Sequence, residues 1–354
     1  MKSSILIPDY PGQHVLSGIR TLHRNNLKVD YAWKIKKKHL ISYVSRYINN
    51  FYYLKSNSSE DWFAYADSIY ELSKINPNKV VLPFGLHSCY AISRYQLERN
   101  IKFNCMLPDH NLFKKVNSKL STIEIANSIG IHTPLTYIDV KETDLINISK
   151  EAKYPLVIKS CTGTGVAFGL RYANNLNQLK AAWYDLKEFG NRIGEDNNLP
   201  LVQEFIPGYI HDVCSLSIKG KPKYLLTQIR EMMYPISGGV GAINTTTNNY
   251  KLRNLASKLI ESTNWHGPAQ IEFKFDPRDQ KYKLIEMNPK LWGTLDLSIK
   301  SGINFPLLIY KYLTNQKMPK DITYRSGLKY CFFSPQTLNA FIQYKKLFGI
   351  NSSL

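Results

Sequence analysis

Three residues between Trp265 and Gly293 carry the types and spacing for metal chemistry: Glu272, Glu286 and Asn288. The stretch holds two runs that alternate apolar and polar residues, the period of a half-buried strand. Between them, Asp276-Pro277-Arg278-Asp279 is turn chemistry. An antiparallel hairpin with its loop from Pro277 to Lys281 sets Glu272 opposite Glu286, with Asn288 two residues on and on the same face. Facing carboxylates repel unless something positive lies between them. Two carboxylates and an amide carbonyl are hard ligands that suit Mg²⁺, with water and substrate phosphates completing the shell. The bland alternative is a solvated hairpin edge, with Lys274 on the same face balancing one charge.

A second constellation precedes it. Pro155-Leu156-Val157-Ile158-Lys159 reads as a buried strand that enters Ser160-Cys161-Thr162-Gly163-Thr164-Gly165 and leaves through another strand. Such a glycine- and hydroxyl-rich loop turns backbone N–H groups toward phosphates, and glycine permits close approach. Lys159 can meet a phosphate as a point charge. No G-K-[ST] opens a helix, so this is not a Walker A loop. A helix from Ser118 to Ile129 carries Lys119 at its start and ends at Gly130.

Around these residues the elements imply an α/β chain. Strands at Ser4–Pro8, Val29–Trp33 and Lys79–Pro83 alternate with helices at His14–Asn25, Trp62–Ile75 and after Gly85. That order predicts a parallel, Rossmann-like layer over residues 1–108. Ligands bind at the carboxyl ends of such strands, which makes the Asp9–His14 and Phe84–Ser88 loops candidates for substrate contact. There is no GxGxxG, which argues against a dinucleotide site. Residues 109–200 and 201–315 read as two further subdomains, the latter an antiparallel sheet. The segment 316–354 is polar and aromatic, with no assignable chemistry.

With 354 residues, two or three units are expected. Five cysteines form no CxxC and leave one unpaired, which fits a reducing cytoplasm rather than a disulfide framework. No apolar run is long enough to span a bilayer. The net charge of +19 predicts a field that attracts anions. It is scattered, with one dense cluster at Lys34–Lys38 and no nucleic-acid-reading motif.

Taken in order, these pieces resemble the ATP-grasp superfamily, and most of all its carboxylate–amine ligase branch. Lys119 opens a helix ending in G-I-H-T-P; P-L-V-I-K-S precedes a glycine-rich loop; V-Q-E-F-I-P-G leads to Asp212; Arg230 precedes a Gly-Gly pair; Glu272 precedes E-M-N-P-K-L-W-G. The resemblance covers roughly residues 107–312. It implies an ATP-grasp fold with a Rossmann-like first domain, a glycine-loop lid and a C-terminal antiparallel sheet. It implies ATP with Mg²⁺ (or Mn²⁺) as cofactors. Lys119 and Lys159 would contact the phosphates, and Ser160, Thr162, Gly163, Thr164 and Gly165 would close over them. Gln203, Glu204, Phe205 and Ile206 would form the hinge that reads adenine, and Asp212 would hold the ribose. Glu272, Glu286 and Asn288 would bind the metal, and Arg230 and Lys290 would face the reacting groups. Two positions depart from the pattern: Ser118 where relatives carry Asp, and Lys290 where N-P-R is usual. The implied reaction joins a small carboxylate to an amine through an acyl phosphate. A small-molecule kinase and a non-catalytic binder of an anionic polymer or its precursor are the alternatives. No membrane span and no sequence-specific nucleic acid are expected, and a homodimer is the commonest assembly for such a chain.

Overall fold

The computed structural model describes residues 4–34, 45–76, 79–161, 169–193, 199–234, 239–331 and 335–348. The loop residues Thr162, Gly163, Thr164 and Gly165 lie outside that set, as do Lys36–Lys38 of the basic cluster.

Continuous apolar runs build the first unit, because parallel strands are covered on both faces. Strands β1 (Ile5–Ile7), β2 (Val29–Trp33), β3 (Asn50–Tyr53) and β4 (Val80–Val81) form a parallel sheet in the order β3-β2-β1-β4. Helices α1 (Gln13–Arg24), α2 (Trp62–Lys74) and α3 (Leu86–Arg99) accompany it. The two loops marked as candidates for substrate contact are tied together by one residue. The buried carboxylate of Asp9 accepts from Phe84 N at 2.6 Å and from Gly85 N at 2.8 Å, at the start of α3. A Cβ on Gly85 would meet Asp9 Oδ1 at 2.5 Å, so this junction needs glycine.

Helices α4 (His110–Asn117) and α5 (Lys119–Ser128) follow, the second capped by the Ser118 hydroxyl on Ser121 N. Gly130, with φ +72°, closes it as expected. The central unit holds β5 (Thr136–Tyr137), α6 (Leu145–Glu151), β6 (Leu156–Lys159), β7 (Leu170–Ala173), α7 (Leu176–Ile193) and β8 (Leu201–Glu204). Its antiparallel sheet runs β5-β8-β6-β7. Leu179, Trp183 and Leu186 of α7 bury against it in a separate core.

A six-stranded antiparallel sheet, β13-β12-β9-β10-β11-β14, completes the chain. In chain order its elements are β9 (Ile210–Ile218), β10 (Lys221–Tyr234), β11 (Val240–Thr247), α8 (Tyr250–Ser262), β12 (Gly267–Asp276), β13 (Lys281–Asn288), α9 (Leu295–Ser301), α10 (Phe305–Leu313), β14 (Lys329–Cys331) and α11 (Pro335–Phe348). The packing departs from the expected boundaries in three places. Phe113, Val116 and Ala126 of α4 and α5 share a core with Val213, Ile271 and Leu284, so residues 110–131 pack on this sheet rather than on the central one. Trp292 and Phe305 share a core with Ile5, Val15 and Ile19, so the first unit is welded to the last. The segment after residue 316 is part of this body: β14 pairs with β11, and α11 packs on β10 and β11.

Candidate active site

A cavity of about 890 Å³ opens where the three units meet. Lys159 and Tyr172 line it from the central unit, Glu204 to Ile210 from the hinge, Gln13 and His14 from the first unit, and Arg230, Glu272, Glu286, Asn288 and Lys290 from the large sheet.

The hairpin pairs Glu272 with Glu286 and Gln270 with Asn288. Its loop is one residue shorter than expected, Pro277–Gln280, and a bulge after Glu272 offsets the difference. The three polar side chains converge. Asn288 Nδ2 donates to Glu272 Oε1 at 3.1 Å and to Glu286 Oε1 at 2.9 Å. Lys119 Nζ stands 3.6 Å from Glu286 Oε2. Burial alone would push the Glu286 carboxyl up, but Lys119, Asn288 and Lys159 outweigh it and hold it below the ordinary range. Glu272 is held above that range, chiefly by burial, with Arg230 pulling the other way and Glu286 adding to the rise. Among the described residues no group of three or more His, Cys, Asp or Glu side chains could hold a metal. Two carboxylates with an amide is a poorer cage than that, and it suits Mg²⁺, which keeps waters and substrate phosphates as its other ligands.

Arg230 is the second focus. Its Nη2 lies 2.7 Å from Asp212 Oδ1 and also pairs with Glu272, while Nε donates to Asp212 Oδ2 at 3.1 Å. Burial opposes the guanidinium charge, but Asp212 and Glu272 outweigh it and raise its pKa. Asp212, which the resemblance sets at the ribose, is the partner in these contacts. Its carboxylate is fully buried, takes Arg230 and Gln228 Nε2 (2.9 Å), and does not line the cavity. Strand β9 meets the cavity two residues earlier, at Ile210.

The phosphate-binding candidates are also placed. Lys119 N donates to Cys161 O at 2.9 Å, which ties the start of α5 to the foot of the glycine-rich loop. Ser160 is buried, its N–H bonded to Gly169 O at 3.0 Å across that foot. Lys159 Nζ donates to Gln203 Oε1 at 2.7 Å, and burial pushes its pKa down to about 8. Gln203 is itself buried and donates to Thr136 Oγ1. At the hinge, Phe205 and Ile206 face the cavity. The Glu204 side chain is engaged by Leu135 N at 3.0 Å, Lys283 at 2.8 Å and Arg278 at 3.1 Å. The hinge passes so close to the hairpin that a Cβ on Gly208 would meet Phe275 O at 1.6 Å.

Lys290 lines the far end of the cavity, where burial and this lysine push the His14 pKa down to about 3. Sequence reasoning missed the wall there. Tyr330 and Tyr344 reach it from β14 and α11, Gln13 Nε2 donates to the Tyr330 hydroxyl, and Met233 N donates to the Tyr344 hydroxyl at 3.3 Å. It also missed Lys274 as a cavity residue: its Nζ donates to Ile206 O at 2.6 Å.

A parallel first sheet, a central antiparallel sheet and a larger antiparallel sheet with a paired acidic hairpin make up an ATP-grasp fold. Solved structures of that fold cover nearly the whole chain. Within it, residues 201–331 match the family described as ATP-grasp in the biosynthetic pathway with Ter operon. The chain is 26% identical to D-aspartate ligase of Enterococcus faecium over 256 residues, 66% of this chain and 58% of that protein. It is 25% identical to D-alanine–D-alanine ligase B of Pseudomonas syringae pv. tomato over 218 residues, 56% of this chain and 63% of the relative. The chain thus spans less than two thirds of either relative. The biotin carboxylase domain of Hydrogenobacter thermophilus 2-oxoglutarate carboxylase superposes with a TM-score of 0.74 at 15% identity, covering 94% of this chain and 74% of that one. Among the described residues no helix is long and apolar enough to cross a membrane.

Proposed function

We propose that the chain is an ATP- and Mg²⁺-dependent ligase that activates a small carboxylate as an acyl phosphate and joins it to an amine. The observation that carries this reading is the facing pair Glu272 and Glu286, bridged by Asn288 and flanked by Lys119 and Arg230. Glu272, Glu286 and Asn288 would hold the Mg²⁺. When bound, the ion neutralises phosphate charge and so makes the γ-phosphoryl group easier to attack.

The chain's own residues supply the rest. A carboxylate is a poor electrophile, because its leaving group would be oxide. Its attack on the γ-phosphorus breaks the bond to the β–γ bridging oxygen and yields ADP and an acyl phosphate. That step depends on positioning and charge neutralisation, the roles we give Lys119 and Lys159. The amine then attacks the acyl carbon and phosphate departs. Arg230, fixed by Asp212, would face the oxyanion of that step. Lys290, His14, Gln13 and Tyr330 form the end of the cavity where the acid and amine would sit. The similarity to amino-acid ligases makes amino acids the first substrates to try.

The test is release of ADP and phosphate from Mg²⁺-ATP over a panel of amino acids and sugar acids, beside Glu286→Gln. Turnover that needs an acid, rises with an amine and disappears in the variant supports the ligase. ADP without free phosphate would favour a kinase, and no nucleotide binding would remove the site assignment.

A further inference from the structure

The two ends of the cavity differ in charge. Among the described residues its only carboxylates are Glu272 and Glu286 at the acidic hairpin and Glu204 at the hinge, where Arg278 and Lys283 already engage it. The far end, lined by Gln13, His14, Leu86, Lys290, Thr294 and Tyr330, has none.

Two donors at that end are unspent. Among the described residues no ion pair holds the Lys290 ammonium. Its charge is felt by two rings of the first unit: burial and Lys290 lower the pKa of His14, to about 3, and that of His87, so both stay neutral near neutral pH. The second donor is the Tyr330 hydroxyl. It accepts from Gln13 Nε2, which uses an oxygen lone pair and leaves its O–H to donate elsewhere. Burial, with Asp296 adding to it, pushes the Tyr330 pKa up to about 12, so the proton stays on. Asp296 itself does not line the cavity. A ligand ammonium placed here would meet a like charge and a hydroxyl proton. An anionic group would pair with the first and accept from the second.

We infer that the acid substrate carries a second anionic group besides the carboxylate that is activated, and that Lys290 and the Tyr330 hydroxyl bind it. The inference rests on the ligase reading above and narrows its substrate class to dicarboxylates and phosphonate- or phosphate-bearing carboxylates.

The experiment gives the full chain Mg²⁺-ATP, one acid, and hydroxylamine in place of the amine. The hydroxylamine nitrogen bonds to the acyl carbon of the acyl phosphate, phosphate leaves, and the hydroxamate is measured. The acids are malonate, succinate, glutarate, their half-amides, 3-phosphonopropionate, butyrate and β-alanine. At least one dianionic acid should exceed its half-amide, or butyrate for the phosphonate, by about tenfold to a hundredfold in kcat/KM, with β-alanine the poorest. Lys290→Met should remove most of that ratio and Lys290→Arg restore it, with MgADP affinity of both variants within twofold of wild type. Preference for succinate over 3-phosphonopropionate marks the second group as a carboxylate, and the reverse marks it as a phosphoryl group. The inference is overturned if half-amides, butyrate or β-alanine react as well as the dianions, if the preference survives Lys290→Met, or if no acid gives hydroxamate while MgADP binds. Failure of wild type to bind MgADP would be a separate result, against the nucleotide site itself.

Discussion

Lys159→Met should make the protein more stable and nearly unable to bind nucleotide. Lys159 is 9% exposed, and its folded pKa falls from 10.5 to about 8, chiefly through burial. A change of that size is about 3 kcal/mol of disfavoured charge. The unfolded lysine binds its proton more tightly than the folded one. The penalty is therefore fully present below pH 8 and fades as pH rises from 8 toward 10.5. Methionine removes the penalty and keeps the stem. It also leaves Gln203 Oε1 without its donor, at a cost of about 1 kcal/mol. The net expectation at pH 7 is about 2 kcal/mol of stabilisation, or ~2–4 °C in Tm for a chain of this length. Denaturation of both proteins at pH 7 and at pH 10.5 checks the sign, since the advantage should shrink at the higher pH. Titration with MgADP checks the function, with affinity lower by about a hundredfold. A variant that is less stable at pH 7 and binds MgADP normally would show that Lys159 is a structural residue and refute the reasoning.

Asp212→Asn removes one of two carboxylates from a buried arginine and should destabilise by about 3 kcal/mol, at the lower end for a broken buried pair because Glu272 remains. Turnover should fall more than ADP affinity, since Asp212 lies outside the cavity; a selective loss of ADP affinity would instead return it to the ribose. Gly208→Ala forces the hinge away from Phe275 O, so ATP affinity should drop at least tenfold while the far end of the cavity is untouched; unchanged nucleotide binding would mean that the hinge tolerates the shift. Tyr330→Phe keeps the ring and deletes the hydroxyl that Gln13 engages; KM for the acid or amine should rise several-fold with KM for ATP unchanged, and steady-state kinetics varying each substrate in turn reads this.

The acidic hairpin was legible because strand period and turn chemistry are local. Two deviations cancel in it. The loop closes one residue early, with Gln280 at φ +57°, and the bulge after Glu272 restores the pairing with Glu286. The strands on either side of the glycine-rich segment, β6 and β7, were legible for the same reason. The contact of Asp212 with Arg230 was not legible, because alternation tells which face a residue takes, not how far along the strand the cavity extends. The assignment of residues 110–131 to the central unit failed because the apolar faces of α4 and α5 carry no mark of which sheet they cover. Tyr330 and Tyr344 reach the cavity only through long-range packing, β14 being three residues long and α11 having no pattern tied to a ligand. Lys274 was visible as a cation on the right face, yet it read as a counter-charge for the carboxylates, whereas the structure turns its ammonium away to the hinge.

That orientation bears on the choice between an enzyme and a polyanion binder. The net charge of +19 is spread along the chain and says little about a site. The cavity is different. Lys159, Lys274 and Lys290 bring three cations with no ion-pair partner among the described residues, and burial pushes the pKa of both Lys159 and Lys274 down to about 8. Lys159 is buried and Lys274 and Lys290 are half-buried, and holding such charge without an ion-pair partner costs stability, so the cluster favours a ligand that brings its own negative charge. A polymer binder could use the lysines alone. It would gain nothing from Glu272 and Glu286, which repel each other and any polyanion that approaches them. Both features make sense together only for a ligand that arrives with a cation of its own, and a nucleoside triphosphate carrying Mg²⁺ is such a ligand.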